Sequence, residues 1–261
     1  MTLSAPSPDL LQFVARAAQS YAKLIASGDD PETGLGGRLF YAGELDEEAR
    51  ALVVAANIAG AATLAASADR AVQKQALREG VADFLVSTLD EALRILKNQL
   101  RKRETVAVSV AIEPCVMERE MDERGVAPDL VRSHATIAAN GEAAIFEGCE
   151  GDETGPDSTQ ALVAWRAGSA RHNDLAQLDE VALSCLQARD WAARRWVRHA
   201  PRYLGRLAQG EHVLLADRAF AARLAGQLST RVDRGEISFS YEIRSYICGV
   251  GEKHLVASEK P

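Results

Sequence analysis

Four carboxylates within five positions, Glu44, Asp46, Glu47 and Glu48, follow directly on a short apolar run and a single glycine, Gly43. The surrounding stretch reads RLFYAGELDEEARALVVAANIAGAATLAA, residues 38–66. Apolar run, glycine, amphipathic segment and second apolar run are the layout of a strand, a tight turn and a helix. Such a turn presents free backbone N–H groups to a phosphate. Glycines normally line it, because any side chain would stand between amide and phosphate. Here carboxylates stand in their place. They can cap or neutralise the helix end themselves, each stabilising it by about 0.3–1 kcal/mol at an exposed site. They also repel an incoming phosphate: two unit charges about 6 Å apart cost on the order of 3 kcal/mol at an effective dielectric near 20.

Other residues with chemical potential are dispersed. The five histidines are scattered, and His134 stands out because it follows an apolar run in DLVRSHAT. Ser133 and His134 could meet a substrate there, with His134 as a general base near neutral pH; a surface-loop histidine is the plainer reading. The four cysteines, Cys115, Cys149, Cys185 and Cys248, form no CxxC pair and no His/Cys cluster at metal-ligand spacing. Free, mostly buried thiols and no metal are expected. No Gly-x-Ser-x-Gly elbow supports a Ser-His-Asp hydrolase. Residues 189–206 carry six arginines against Asp190, interleaved with Trp191, Trp196 and Tyr203. That is a candidate anion or nucleic-acid patch. Internal pairing or a solvated face is plainer, since a net charge of −7 gives no general attraction to nucleic acid or anionic membrane.

The elements that must position these groups alternate regularly. After an opening helix beginning near Pro8, candidate strands fall at 38–42, 61–66, 82–86, 106–110 and 129–131. Candidate helices fall between them at 46–58, 68–79, 89–102 and 114–124. The strands are continuous apolar runs, as in a parallel sheet covered on both faces. The pattern predicts an α/β fold: a doubly wound, mostly parallel, Rossmann-like sheet with helices on both faces. The helix in STLDEALRILKNQLRKR is the clearest, with Ser87 or Thr88 as cap, acids in its first turn and bases at its end. Residues 147–157 hold five acids and no base, and read as a surface loop. Residues 178–209 read as one long helix, or two broken near Pro201, and HVLLAD, SFSYEI and RSYICGV as further strands. With no clear linker, a single domain over 1–261 is expected: core 36–135, acidic loop about 140–160, and helices and strands of 161–256 completing it. No apolar run approaches the roughly 20 residues that span a bilayer, and the first residues lack the features of a signal peptide. A cytoplasmic protein is expected.

The segment GVADFLVSTLDEALRILKNQLRKRETVAVSV, followed by MEREMDERGVAPDLV, resembles the NAD-binding region of the urocanase (urocanate hydratase) family. The shared features are a strand leading into a Leu-Asp-Glu-Ala-Leu helix (Leu89 to Leu93) and a later Arg-Gly-Val-x-Pro-Asp (Arg124 to Asp129). Upstream, Ala42-Gly43 and the small residues 59–62 are similar in layout to the family's first strand, phosphate-binding turn and second strand. Downstream, EIRSYICGVGE looks like the family segment that carries an active-site cysteine, which would be Cys248; a buried cysteine on an apolar strand is the plainer reading. The resemblance implies NAD as cofactor and a hydro-lyase activity in which NAD serves as electrophile.

Against that stand the departures. The acids Glu44, Asp46, Glu47 and Glu48 replace the Gly-rich turn, and Ser67 lies where a carboxylate would hold the adenosine ribose, with Asp69 two positions on. Family members are longer than this chain, and their flanking parts help bind substrate, which leaves room for a homodimer or a partner subunit. The leading expectation is a divergent urocanase-like protein without hydratase activity. It would bind a small ligand or partner at the carboxyl edge of the sheet, near Gly43, Ser67, Ser87, Thr88 and Ser133. The alternative is a minimal NAD-dependent urocanate hydratase-like lyase, with Cys248 and His134 as its catalytic candidates.

Overall fold

The computed structural model describes residues 8–26, 30–133, 144–146, 160–168, 172–208, 210–246 and 253–256. Contacts divide the chain into two compact units, one over Arg16–Glu150 and the other over Met1–Ala15 with Gly151–Pro261. Each is described by itself.

The first unit follows the end of helix α1 (Pro8–Ala26) with β1 (Leu39–Glu44), α2 (Glu47–Ala59), β2 (Ala62–Ala66), α3 (Arg70–Glu79) and β3 (Phe84–Val86). It continues through α4 (Leu89–Lys102), β4 (Ala107–Val110), α5 (Pro114–Glu123), β5 (Leu130–Arg132) and β6 (Ala144–Phe146). The strands form one six-stranded sheet in the order β3-β4-β2-β1-β5-β6, and every pairing is parallel. Strand β6 lies within residues read from sequence as a loop, because three residues are too few to show a period.

Alternation along the strands decides what each face buries. Leu39, Tyr41, Ala62, Leu64, Ala66, Val106, Val108 and Val110 pack against Leu89, Ala92 and Leu96 of α4 and Met117 and Met121 of α5. The alternate residues meet α2 and α3, where two buried polar pairs are satisfied. Thr63 Oγ1 donates to Asn57 Oδ1 of α2 at 3.3 Å, and Gln73 Nε2 of α3 donates to Ser109 Oγ at 3.2 Å. The sheet is therefore covered on both faces, as its unbroken apolar runs predict. Ten of the thirteen residues of α2 are buried, half of them alanine, and those small side chains let the helix lie close to the strands. Enlarging one would cost about 1–3 kcal/mol in overpacking. Gly60 ends the helix at φ 109, where its N–H caps the carbonyls of Ala56 and Asn57.

The two segments that carried the family resemblance are joined. Arg124, after α5, forms an ion pair with Asp90 in the first turn of α4. Gly125 turns the chain at φ 65. Asp129 then accepts from the Leu39 amide at 2.7 Å, fixing the start of β1 beside β5. These motif residues hold the scaffold together, and Asp129 does so at the amino end of β5.

The second unit contains β7 (Gln160–Ala167), α6 (His172–Ser184), α7 (Trp191–Leu204), β8 (His212–Asp217), α8 (Arg218–Asp233), β9 (Tyr241–Tyr246) and β10 (Lys253–Val256). Its strands do not extend the parallel sheet. They form a separate antiparallel one in the order β10-β9-β7-β8. Strand β7, central here, went unread because its alanines gave no strand signal beside a loop-like acidic stretch. The helical region is broken, but at residues 185–190 and not at Pro201, which sits in the last turns of α7. Asp190 makes the break by accepting from the Gln187 amide at 3.2 Å. Arg194 donates to the Leu183 carbonyl at 2.8 Å, so this arginine of the basic stretch caps the end of α6.

Two polar clusters anchor this second sheet. Asp179 of α6 accepts from Trp165 Nε1 at 2.9 Å and lies 2.7 Å from His212 Nδ1. Arg166 and Arg244 both engage Glu242 and Glu211, with Arg244 Nε 2.8 Å from Glu242 and both guanidinium groups 3.3 Å from Glu211. Among the described residues no cluster of His, Cys, Asp and Glu is arranged to hold a metal ion, and no helix is long and apolar enough to cross a membrane. The described cysteines depart from expectation: both are free, but Cys115 is exposed and Cys185 half-buried.

Candidate functional site at the carboxyl edge of the parallel sheet

Chain order reverses between β1 and β5, which lie side by side while β2 sits on the far side of β1. In an open parallel sheet the crevice outside the carboxyl ends at such a switch point is where ligands bind. The groups that meet there come from the end of β1, the start of α2 and the end of β5.

Strand β1 carries an irregularity at this point. Its register against β2 shifts between Tyr41 and Glu44, and Gly43 takes φ 71 within the shift. A Cβ added there would meet nothing within 4 Å, so the backbone conformation, and not crowding, is what favours glycine. The bulge turns Glu44 outward and delivers Asp46 to the N-cap of α2, where its carboxylate accepts from the Ala49 amide at 2.8 Å. From the end of β5, Arg132 reaches the same carboxylate at 2.9 Å, Glu48 at 2.6 Å and the Glu44 carbonyl at 3.4 Å. Burial works against the charge on Arg132, but Asp46 and Glu48 outweigh it and raise its pKa above the usual value. Arg16 covers Glu47 at 2.9 Å. Three carboxylates thus pair with two guanidinium groups, and Glu44 adds only its carbonyl. Arg132 Nε and Glu48 Oε1 are buried without a hydrogen-bond partner among the described residues.

This geometry bears directly on the fit of a dinucleotide. The helix end that would receive a pyrophosphate is occupied by the chain's own Asp46, and Arg132, a cation suited to phosphate, is already engaged by two carboxylates. The residues present do not fit the group.

The residues singled out from sequence are partly brought together. Gly43 near the end of β1, Ser67 just after β2 and Ser133 just after β5 sit on adjacent strands, about 5 Å apart in sheet spacing. Ser87 and Thr88 follow β3, three strands from β1 and so about 14 Å away. Their roles there are local: Thr88 Oγ1 accepts from the Glu91 amide at 3.3 Å, and the Ser87 amide donates to Glu91 at 2.8 Å. Ser67 is buried, with its hydroxyl accepting from the Asp69 amide at 3.3 Å. Asp69 caps α3 through the Ala71 amide at 2.7 Å. His134 and Cys248 lie outside the described residues. The residue that sequence reading missed is Arg132. Its one local mark is that it closes an apolar strand as a cation; that it meets the acids of α2 follows only from the pairing of β5 with β1.

Residues 20–141 match the family model of the urocanase Rossmann-like domain. The match takes in β1 through β5 and spans under half of the chain. The urocanase-like segment thus contains the whole switch point, including both the scaffold ties at Asp90, Arg124 and Asp129 and the carboxylates that depart from a phosphate-binding turn.

Proposed function

We propose that the urocanase-like unit is a binding domain without hydratase activity, whose carboxyl edge takes a small neutral or cationic ligand in place of NAD. The observation that carries this reading is the capture of Arg132 by Asp46 and Glu48 at the N-terminus of α2. A dianionic pyrophosphate would have to displace both carboxylates and then sit beside them. A neutral or cationic ligand would meet the exposed Glu44 and Asp46 at this edge without charge repulsion. Fold kinship does not supply the missing chemistry, since function lives in the site.

The test is thermal unfolding of the purified protein with and without NAD, after a check for nucleotide released on denaturation. Ligand at a hundred times its dissociation constant stabilises a native state by about 2.7 kcal/mol, a shift easily read. The expected result is no shift at millimolar NAD and no released nucleotide. A clear shift would overturn the reading.

A second reading, a NAD-dependent hydro-lyase, is favoured by Gly43, whose left-handed backbone and open surroundings would let a ligand approach the chain closely. Loss of urocanate absorbance in the presence of NAD is its direct assay. If the site is completed by a second copy or a partner subunit, light scattering on the eluting protein would show more than a monomer.

A further inference from the structure

A second charged feature of the same unit is independent of the switch point. Helices α2 and α3 border an open depression of about 510 Å³, lined by Arg50 of α2 and by Arg70, Lys74, Gln75 and Arg78 of α3. Such a volume is within the range of small-molecule sites. Arg70, Lys74 and Arg78 recur every four residues and so form one stripe along the helix. On its other face α3 buries Gln73 and Ala76 against the sheet.

The stripe runs against local stability in two ways. Like charges at this spacing repel one another. Arg70 is also the first residue of α3, at the positive end of the helix dipole, where a carboxylate would be favoured. Compensation is incomplete. Glu79 pairs with Arg50 and accepts from Gln75 Nε2 at 2.6 Å. Arg70 and Lys74 are exposed and have no carboxylate partner among the described residues. In a chain with a net charge of −7, four cations gathered in one depression, two of them without a carboxylate partner among the described residues, mark a functional surface more than a solvated face. Guanidinium forks with a lysine between them suit phosphate oxygens. The overall negative charge disfavours an extended nucleic acid.

We propose that the depression between α2 and α3 binds a small ligand carrying two or more linked phosphates. The probe is inorganic tripolyphosphate, titrated calorimetrically at low salt, with orthophosphate and a short single-stranded oligonucleotide alongside. The expected result is saturable one-to-one binding of tripolyphosphate that weakens with salt, with orthophosphate much weaker. Lys74→Glu, an exposed change that leaves the core untouched, should weaken binding about tenfold or more with the melting temperature unchanged. Lys97→Glu, at an equally exposed cation on α4, should leave binding as it was. Absence of saturable binding would overturn the proposal. So would equal weakening by both substitutions, which would reveal only diffuse attraction. Tighter capture of the oligonucleotide than of tripolyphosphate would overturn the small-ligand assignment in favour of nucleic acid.

Discussion

Arg132, at the end of β5, lies 2.9 Å from Asp46, the N-cap of α2, and so ties together the carboxyl ends of the two strands between which chain order reverses. One carboxylate therefore does two jobs: it caps a helix and pairs with an arginine that is 7% exposed. Replacing Arg132 by alanine leaves Asp46 and Glu48 facing each other without a cation. The partners are partly solvated, so the loss is expected at about 1–3 kcal/mol and not at the larger value for a fully buried pair. Adding Glu48→Gln to the same variant should recover part of it, because one of the two opposed charges is gone. A double-mutant cycle read by urea unfolding checks this; strict additivity would show that the two residues do not interact.

The double variant Asp46→Asn, Glu48→Gln tests the electrostatic argument from the opposite side. Asparagine remains a good N-cap, so α2 should keep its start, while Arg132 loses both counter-charges. Removing a repulsion of about 3 kcal/mol corresponds to roughly a hundredfold in affinity. Inorganic pyrophosphate and NAD should both bind this variant more tightly than the wild-type protein. If calorimetry gives the same affinity for both proteins, the carboxylates are not what excludes the dinucleotide.

How much of this was legible in the sequence depended on the range of the interactions involved. The five strands from β1 to β5 and the helices between them were readable because a parallel sheet buried on both faces imposes continuous apolar runs. The acids at Glu44 to Glu48 were readable as a departure. Their partner was not, because Arg132 is 84 residues from Glu48 and meets it only through the pairing of β5 with β1. The bulge at Gly43 was equally hidden, since a register shift leaves no mark in composition. In the second unit, β7 failed to signal because its neighbours in the sheet, β8 and β9, are distant in sequence and its own alanines are neutral. Of the two cap candidates Thr88 is the N-cap of α4, but strand order, which no local pattern encodes, sets it and Ser87 three strands from the switch point.

Thr88 separates a capping role from a ligand role. Its hydroxyl accepts the Glu91 amide at the start of α4, whose Leu89, Ala92 and Leu96 are buried against the sheet. Thr88→Ala should cost about 0.5–2 kcal/mol, and Thr88→Ser should cost little, because serine caps equally well. Chemical unfolding of the two variants distinguishes them from wild type. A Thr88→Ala protein as stable as wild type would show that the cap contributes nothing.

The charge ladder on β7 and β9 makes a pH-dependent prediction with opposed signs at two neighbouring carboxyls. Burial pushes the Glu242 carboxyl up, but Arg244 and Arg166 outweigh it and hold the group below its usual value of 4.5. A depressed folded pKa contributes stability that is present above the unfolded value and is lost as pH falls through the folded one. Glu242→Gln should therefore be destabilised by about 1–3 kcal/mol at pH 7, with the deficit shrinking as pH drops below about 4.5. Glu211 is the reverse case. Burial is its largest influence, Arg244 and Arg166 pull the other way, and its carboxyl ends above the usual range. Ionising it costs stability as pH rises from the unfolded value toward the folded one. The deficit of Glu211→Gln should accordingly narrow as pH rises through that window. Tryptophan fluorescence during urea unfolding at pH 4, 5 and 7 reads both, because Trp165, Trp191 and Trp196 all belong to this unit. Parallel pH trends in the two variants would show that the ladder titrates as one group and that burial does not separate its members.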